Sequence, residues 1–336
     1  MTTGARPWQE LTKEDPIDPE RPIIDPHHHL WDYPTSRYLL EDILADTGSG
    51  HNVVKTVFIE CLSKYRTDGP AQMRPVGETE FVTAIAAASE SGKYGPTRVA
   101  SGIVGFADLT LGEAVAPVLA AHIEAGGGRF KGIRHAAAWH ADESIANAHT
   151  HPPQGLMADA AFRRGFAQLH PHGLSFDAWI YHTQLQELAD LARAFPQTEI
   201  VLDHVGTPLG LGPYAGQRAA VFQDWKRAIP AVAACDNVVV KLGGLAMKVC
   251  GFDWHKAHQP PTSQMLAATM APYFEYCIEQ FGVQRCMFES NFPVDKVSCG
   301  YTVLWNAFKR MTHALSQAEQ TALFHDTAAR VYRLNP

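Results

Sequence analysis

Short apolar runs and longer amphipathic stretches take turns along this chain. Eight runs rich in β-branched residues read as strands: RPIID, VVKTVFIEC, RVASGIVGFA, RFKGIRH, GLSFDAWIY, TEIVLDHVG, NVVVKLGGL and RCMFESN. Helical spacing fills the intervals. In TQLQELADLARAFP, the residues Leu185, Leu188, Ala192 and Phe195 make one stripe, which stops at Pro196. GETEFVTAIAAASESG, LGEAVAPVLAAHIEAG, MADAAFRRGFAQLHPHG, YAGQRAAVFQDWKRAIPAVAAC, SQMLAATMAPYFEYCIEQFG and YTVLWNAFKRMTHAL follow the same rule. The last helical stretch, SQAEQTALFHDTAARVYRL, opens with Ser316 and Glu319 at capping-box spacing.

Strand then helix, counted to eight, predicts an α/β fold: a distorted (β/α)8 TIM barrel with long βα loops. Such a barrel takes about 250 residues. The chain has 336, and the surplus falls in loops 137–155, 207–216 and 246–264, after strands four, six and seven. All three would lie at the C-terminal face, where barrel enzymes build their sites. The organisation predicted is an N-terminal extension over 1–22 and a single domain over 23–336. The rival, an open doubly wound sheet for a nucleotide, lacks a GxGxxG or GxxxxGK[ST] after the first strand.

Charge narrows the partners. A net charge of -7 without a long basic run speaks against nucleic acid and anionic membrane. No run approaches the ~20 apolar residues of a membrane span, so the expected location is the cytoplasm. The six cysteines include no CxxC pair and read as reduced, buried small hydrophobes. A homo-oligomer stays open.

The chemistry begins in PIIDPHHHLWD, where Asp25, His27 and His29 alternate. Barrel strands turn alternate side chains inward, and the helix-facing set must be apolar. With Ile24 facing out, Asp25, His27 and His29 face in, and His28 turns to the helices. The same rule sends Arg134, Asp177, Trp179, Tyr181, Lys241, Glu289 and Asn291 inward. His182 falls just past the end of strand five. Strand six is undecided, because Asp203 and His204 oppose each other. Two imidazoles at HxH spacing can chelate one cation or bracket one substrate, with Asp25 behind them to orient a ring. Arg134 and Lys241 suit an anion. Trp31, Tyr33, Trp139 and Phe292 could wall a flat substrate. His135, His140, His149 and His151 in the fourth loop read as solvated.

IDPHHHLWD, FKGIRH, VLDHVGTP, VVVKLGGL and MFESNFPVD resemble, in order and spacing, the amidohydrolase superfamily and its amidohydrolase-2 branch of lactonases and decarboxylases. The resemblance runs from about Ile23 to Tyr332. It implies metal ligation by His27, His29 and His204, with zinc the first choice of divalent ion. Metal-independent action is the alternative, because some lactonases of the branch work without metal. Two positions depart from the metal-dependent pattern. Tyr181 stands where strand five would give a histidine, and Asn291 replaces the strand-eight aspartate, so SDxP reads SNFP. Asn cannot take a proton. The expected enzyme is a hydrolase of a cyclic ester of a carboxylated molecule, with a decarboxylase or hydratase as alternative and a non-catalytic binding barrel as a third reading. Its partner would be a small anionic or aromatic substrate. His204, Glu289, Asn291, Asp295 and His182 are the catalytic candidates, and Trp31, Arg134, Tyr181 and Lys241 the substrate-binding ones.

Overall fold

The computed structural model describes residues 7–334. The first six residues of the expected 1–22 extension and the last two of the expected 23–336 domain lie outside the described residues. Eight parallel strands follow one another around a barrel. They are β1 (Ile23–His28), β2 (Val53–Ile59), β3 (Arg98–Gly105), β4 (Phe130–Ile133), β5 (Ser175–Ala178), β6 (Ile200–Leu202), β7 (Val238–Leu242) and β8 (Cys286–Phe288). Each neighbours the next in sequence, as right-handed βα units require. Helices α1 (Leu40–Thr47), α2 (Val76–Glu90), α3 (Ala116–Gly126), α4 (Ala160–Phe166), α5 (Leu185–Ala194), α6 (Arg218–Ala233), α7 (Ser263–Phe281) and α8 (Tyr301–Met311) wrap the outside. Sequence pattern missed α1 and the hairpin of Trp31–Tyr33 and Ser36–Tyr38, the latter too short to show a period.

The barrel is distorted at its seam. β8 meets β1 only beyond its own end, where Asn291 N–H donates to the His27 carbonyl (3.0 Å) and His29 N–H to that of Phe292 (2.9 Å). The SNFP segment thus closes the barrel at the level of the site. The other end is plugged. Val331 and Tyr332 from the C-terminal segment pack with Ile24, Val57, Val201, Val239 and Met287 inside the strands.

That cluster overturns part of the parity expectation. Ile24 faces in, not out. Two residues of β1, Pro26 and His27, oppose one of β2, Val57, between the pairs Asp25–Thr56 and His28–Phe58. The extra residue is a bulge beside Pro26, which has no N–H to give the ladder. The bulge resets the alternation, so Ile24, His27 and His29 all point inward. Asp25 faces α8 instead of an imidazole. It accepts from Ser290 N–H and from the Tyr301 hydroxyl, both at 2.9 Å.

His28 does turn outward, against Phe58, and the Thr56 hydroxyl contacts its Nε2 at 2.8 Å. Burial pushes its pKa down to about 3, so it stays neutral. His28→Ala should cost about 1–3 kcal/mol, because the Thr56 hydroxyl loses its acceptor and keeps only the Ala100 N–H, and it should leave KM and kcat alone. Chemical denaturation beside kinetics checks this; an intact fold with lost activity would count against it.

Residues 7–22 lie along the loop after β7 and helix α8. Trp8 Nε1 donates to the Ala257 carbonyl, Thr12 Oγ1 to that of Pro260, and Ile17 N–H to Asn306 Oδ1. Among the described residues, no helix is long and apolar enough to cross a membrane.

Candidate active site

Strand six resolves its ambiguity by leaving the strand conformation. His204, Val205, Gly206 and Thr207 all have positive φ (56°, 49°, 76° and 43°). Left-handed backbone costs L-residues roughly 1–2 kcal/mol each, so this turn is held by its surroundings. One anchor is Trp225 Nε1, which donates to the Val205 carbonyl at 2.7 Å. The turn lets both Asp203 and His204 enter the barrel. Space for the ring comes from Gly244, also left-handed (φ 69°), where a Cβ would overlap the His204 imidazole.

The barrel interior holds a buried charge network. Glu289 bridges two rings, with Oε1 2.6 Å from His204 Nδ1 and Oε2 2.9 Å from His27 Nδ1. Lys241 Nζ donates to Asp177 Oδ2 (2.6 Å), and lies 3.0 Å from Asp203 Oδ1 and 3.1 Å from His27 Nδ1. Arg134 donates twice to Glu60, from Nε to Oε1 (2.7 Å) and from Nη2 to the backbone carbonyl (2.6 Å). His149 Nε2 lies 2.9 Å from Glu60 Oε2.

Charge states follow from these contacts. Burial disfavours ionised Glu289, but His204 and His27 outweigh it and bring the carboxyl to about 2. Burial likewise opposes a charged His204, yet Glu289 raises its pKa. Asp203 is desolvated, but Lys241 and His27 hold it well below the ordinary carboxylate range. Glu60 sits at about 2 against its own burial, through Arg134 and His149. Desolvation drives Asp177 up to about 6 despite Lys241.

Above the network opens a pocket of about 260 Å³. That is just below the range of roughly 300–1,000 Å³ usual for small-ligand sites. One wall is the stack His29–Trp31–Tyr33, with centroid spacings of 6.0 and 5.6 Å. Another carries His149 stacked on Trp179 (6.3 Å), with the Arg134 guanidinium 5.6 Å from the Trp179 ring. His204 and Asn291 also line the pocket. Larger surface grooves elsewhere contain none of these groups.

His27, His204 and Glu289 offer three ligand atoms within 4.8 Å of one another. Two imidazoles and a carboxylate are a zinc-type donor set. The charge count agrees. Two buried cations, Arg134 and Lys241, stand among four buried carboxylates, Glu60, Asp177, Asp203 and Glu289. Both Asp203 oxygens and Glu289 Oε2 lack a well-aligned hydrogen bond. These residues therefore fit a divalent cation. His29 stands outside the trio. Its Nδ1 meets the Ile59 carbonyl at 2.8 Å and its ring lies across that of His27, at 80°.

Comparison with known proteins agrees with this architecture. Residues 24–334 match the amidohydrolase family. The chain belongs to that family. It is 35% identical to the Sinorhizobium fredii protein y4mH over 334 residues, 93% of this chain and 98% of the relative. It is 27% identical to an L-fucono-1,5-lactonase of Burkholderia multivorans over 328 residues, 93% and 96% of the two chains. A Burkholderia multivorans amidohydrolase solved with bound zinc superposes with a TM-score of 0.72 at 24% identity, over 93% of this chain and 99% of that one. The protein is an enzyme of the hydrolase type common to this family.

Several expected residues sit elsewhere in this amidohydrolase. Tyr181 turns away from the pocket, packs with Ala136, Ala138 and Leu209, and donates its hydroxyl to the Ala146 carbonyl. His182 begins a helical turn and accepts from Leu209 N–H (3.3 Å). β5 ends at Ala178, so strand alternation no longer applies to either, and Trp179 takes the pocket position. Lys241 is fully buried beneath the pocket, drawn down by Asp177 and Asp203. Phe292 packs on Tyr301, and Trp139 also lies off the pocket wall. His149 was expected in solvent and lines the pocket instead. Glu60, Asp203 and Trp179 join the site as well. Glu60 had one signal, an acid ending the apolar run VVKTVFIE.

Asn291 lines the pocket and caps Asp295, its Nδ2 donating to Asp295 Oδ1 at 2.9 Å. Burial raises the Asp295 pKa to about 7. Asn291→Asp would set two carboxyls face to face, where they must share a proton. The second ionisation of the pair would lie above the unfolded value. The stability they contribute is then fully present below about pH 4 and lost as pH rises. Melting curves of the variant should track the parent at pH 5 and fall behind it at pH 8.

Proposed function

We propose that this enzyme opens a lactone of a small hydroxy acid, with a divalent cation, zinc by donor type, held by His27, His204 and Glu289. The observation that carries the reading is the pocket itself. It is small, flanked by aromatic rings and floored by fixed hydrogen-bonding groups, which suits a single polar ring. The named lactonase relative points the same way.

Ester hydrolysis builds negative charge on the carbonyl oxygen, and donors fixed in a dry site stabilise that charge. Arg134 is buried, immobilised by Glu60 and part of the pocket lining, with Nη1 3.4 Å from His27 Nε2. It serves as the oxyanion or carboxylate donor. His29, fixed through Nδ1, turns its other nitrogen to the substrate. A bound cation would polarise the ester carbonyl. Trp31, Tyr33 and Trp179 flank the substrate ring. The six unpaired cysteines fit a reducing compartment such as the cytoplasm.

The test is a panel of sugar-acid lactones and pyrone carboxylates, followed by acid release, beside aromatic acids followed by carbon dioxide release. Acid release from at least one lactone is expected. Carbon dioxide release without lactone opening would replace this reading with the decarboxylase one.

A further inference from the structure

Opening a lactone requires a group that takes a proton from water and returns it to the ring oxygen. Three imidazoles line the pocket among the described residues: His29, His149 and His204. His204 is engaged through Nδ1 by Glu289, inside the candidate cation group. His29 leans on a neutral carbonyl, which gives a positive ring little support.

His149 differs from both. It comes from the long loop between β4 and α4, outside the cation group. Its Nε2 faces the buried carboxylate of Glu60 at 2.9 Å, and the other Glu60 oxygen is locked by Arg134. A carboxylate only accepts, so the hydrogen of that contact belongs to His149 Nε2. The neutral ring then carries its lone pair on Nδ1. Nδ1 has no partner among the described residues. The side chain is 24% exposed, on the pocket wall, stacked on Trp179. A base fixed in one tautomer by a buried carboxylate, with its free nitrogen open to substrate, is the arrangement proton transfer needs.

We propose that His149, oriented by Glu60, is the proton carrier of this pocket. The proposal rests on the lactone-opening reading above. Nδ1 takes a proton from water as the water oxygen bonds to the ester carbon and the C=O electron pair moves onto oxygen. When that pair returns, the bond from the carbon to the ring oxygen breaks. The imidazolium then gives its proton to the departing ring oxygen. One lactone and one water become one hydroxy acid, and His149 ends neutral. Glu60 is a positioning residue, for His149 and Arg134 alike.

Two variants test this on whichever lactone the parent opens. His149→Gln keeps an N–H for Glu60 but carries no proton. His149→Ala leaves a space. Both should lose 10²–10⁴-fold in kcat, roughly the contribution of general acid–base catalysis, with KM little changed and melting curves like the parent's. Added imidazole should restore part of the rate to His149→Ala and none to His149→Gln. An active parent with a fully active His149→Gln overturns the role of His149 alone. So does a change confined to KM, which would mean binding. A parent that opens no lactone overturns the functional reading, and this inference falls with it.

Discussion

Glu289→Gln should remove bound metal and lower turnover by about 10²–10³-fold, the range seen when a key electrostatic group is lost. The substitution keeps the shape of the side chain and deletes its charge. Glu289 touches both rings of the candidate cation site, 2.6 Å from His204 Nδ1 and 2.9 Å from His27 Nδ1. It is the sole anionic member of that trio. An amide accepts at one oxygen, but its NH₂ turns a donor toward the other ring. Around it, Lys241 already stands 3.1 Å from His27. Without the Glu289 charge, a second cation there would meet an ammonium offset only by Asp177 and Asp203. Elemental analysis of parent and variant, beside kcat/KM, decides the matter. Equal metal and equal rate in the two proteins would place the working carboxylate elsewhere. A metal-free parent whose variant still loses activity would leave Glu289 the narrower task of holding His204.

The sequence reading succeeds where alternation is unbroken and fails where the backbone departs from it. In β7, Val238, Val240 and Leu242 pack toward the helices and Lys241 points inward, as period two dictates. β8 repeats this with Phe288 and Glu289. In β1, the bulge at Pro26 shifts Ile24 and Asp25 by one place, and no hydrophobic pattern of six residues encodes that shift. Asp203 and His204 could not be ordered because a left-handed turn, not a strand, presents them. The fourth loop marks another boundary. His140, His149 and His151 look alike in sequence, yet only His149 reaches Glu60, 89 positions earlier. Such a pairing depends on how a long loop folds across the barrel mouth. Local pattern holds no record of it.

Lys241→Met should destabilise the fold by about 3–5 kcal/mol near neutral pH, the usual cost of orphaning a buried charge. The lysine is fully buried and pairs with two carboxylates, Asp177 at 2.6 Å and Asp203 at 3.0 Å. Desolvation opposes its charge, but Asp177 and Asp203 outweigh that and raise its pKa. Methionine matches the stem and removes the ammonium. Asp177 would then keep only the Tyr332 hydroxyl, at 2.7 Å. Its pKa is already near 6 with the lysine present, and would rise further without it. A folded pKa above the unfolded value gives stability that is complete below the unfolded pKa and is lost as pH rises. The variant should therefore lie closest to the parent near pH 4 and diverge up to neutrality. Asp177→Asn in the same background should recover part of the loss, because it deletes one orphaned charge and keeps an acceptor for Tyr332. Denaturation of the four proteins of this cycle, at pH 5 and pH 7.5, measures the coupling. Additive losses that do not change with pH would mean that Lys241 contributes packing alone, and that the interior carboxylates are compensated by another group.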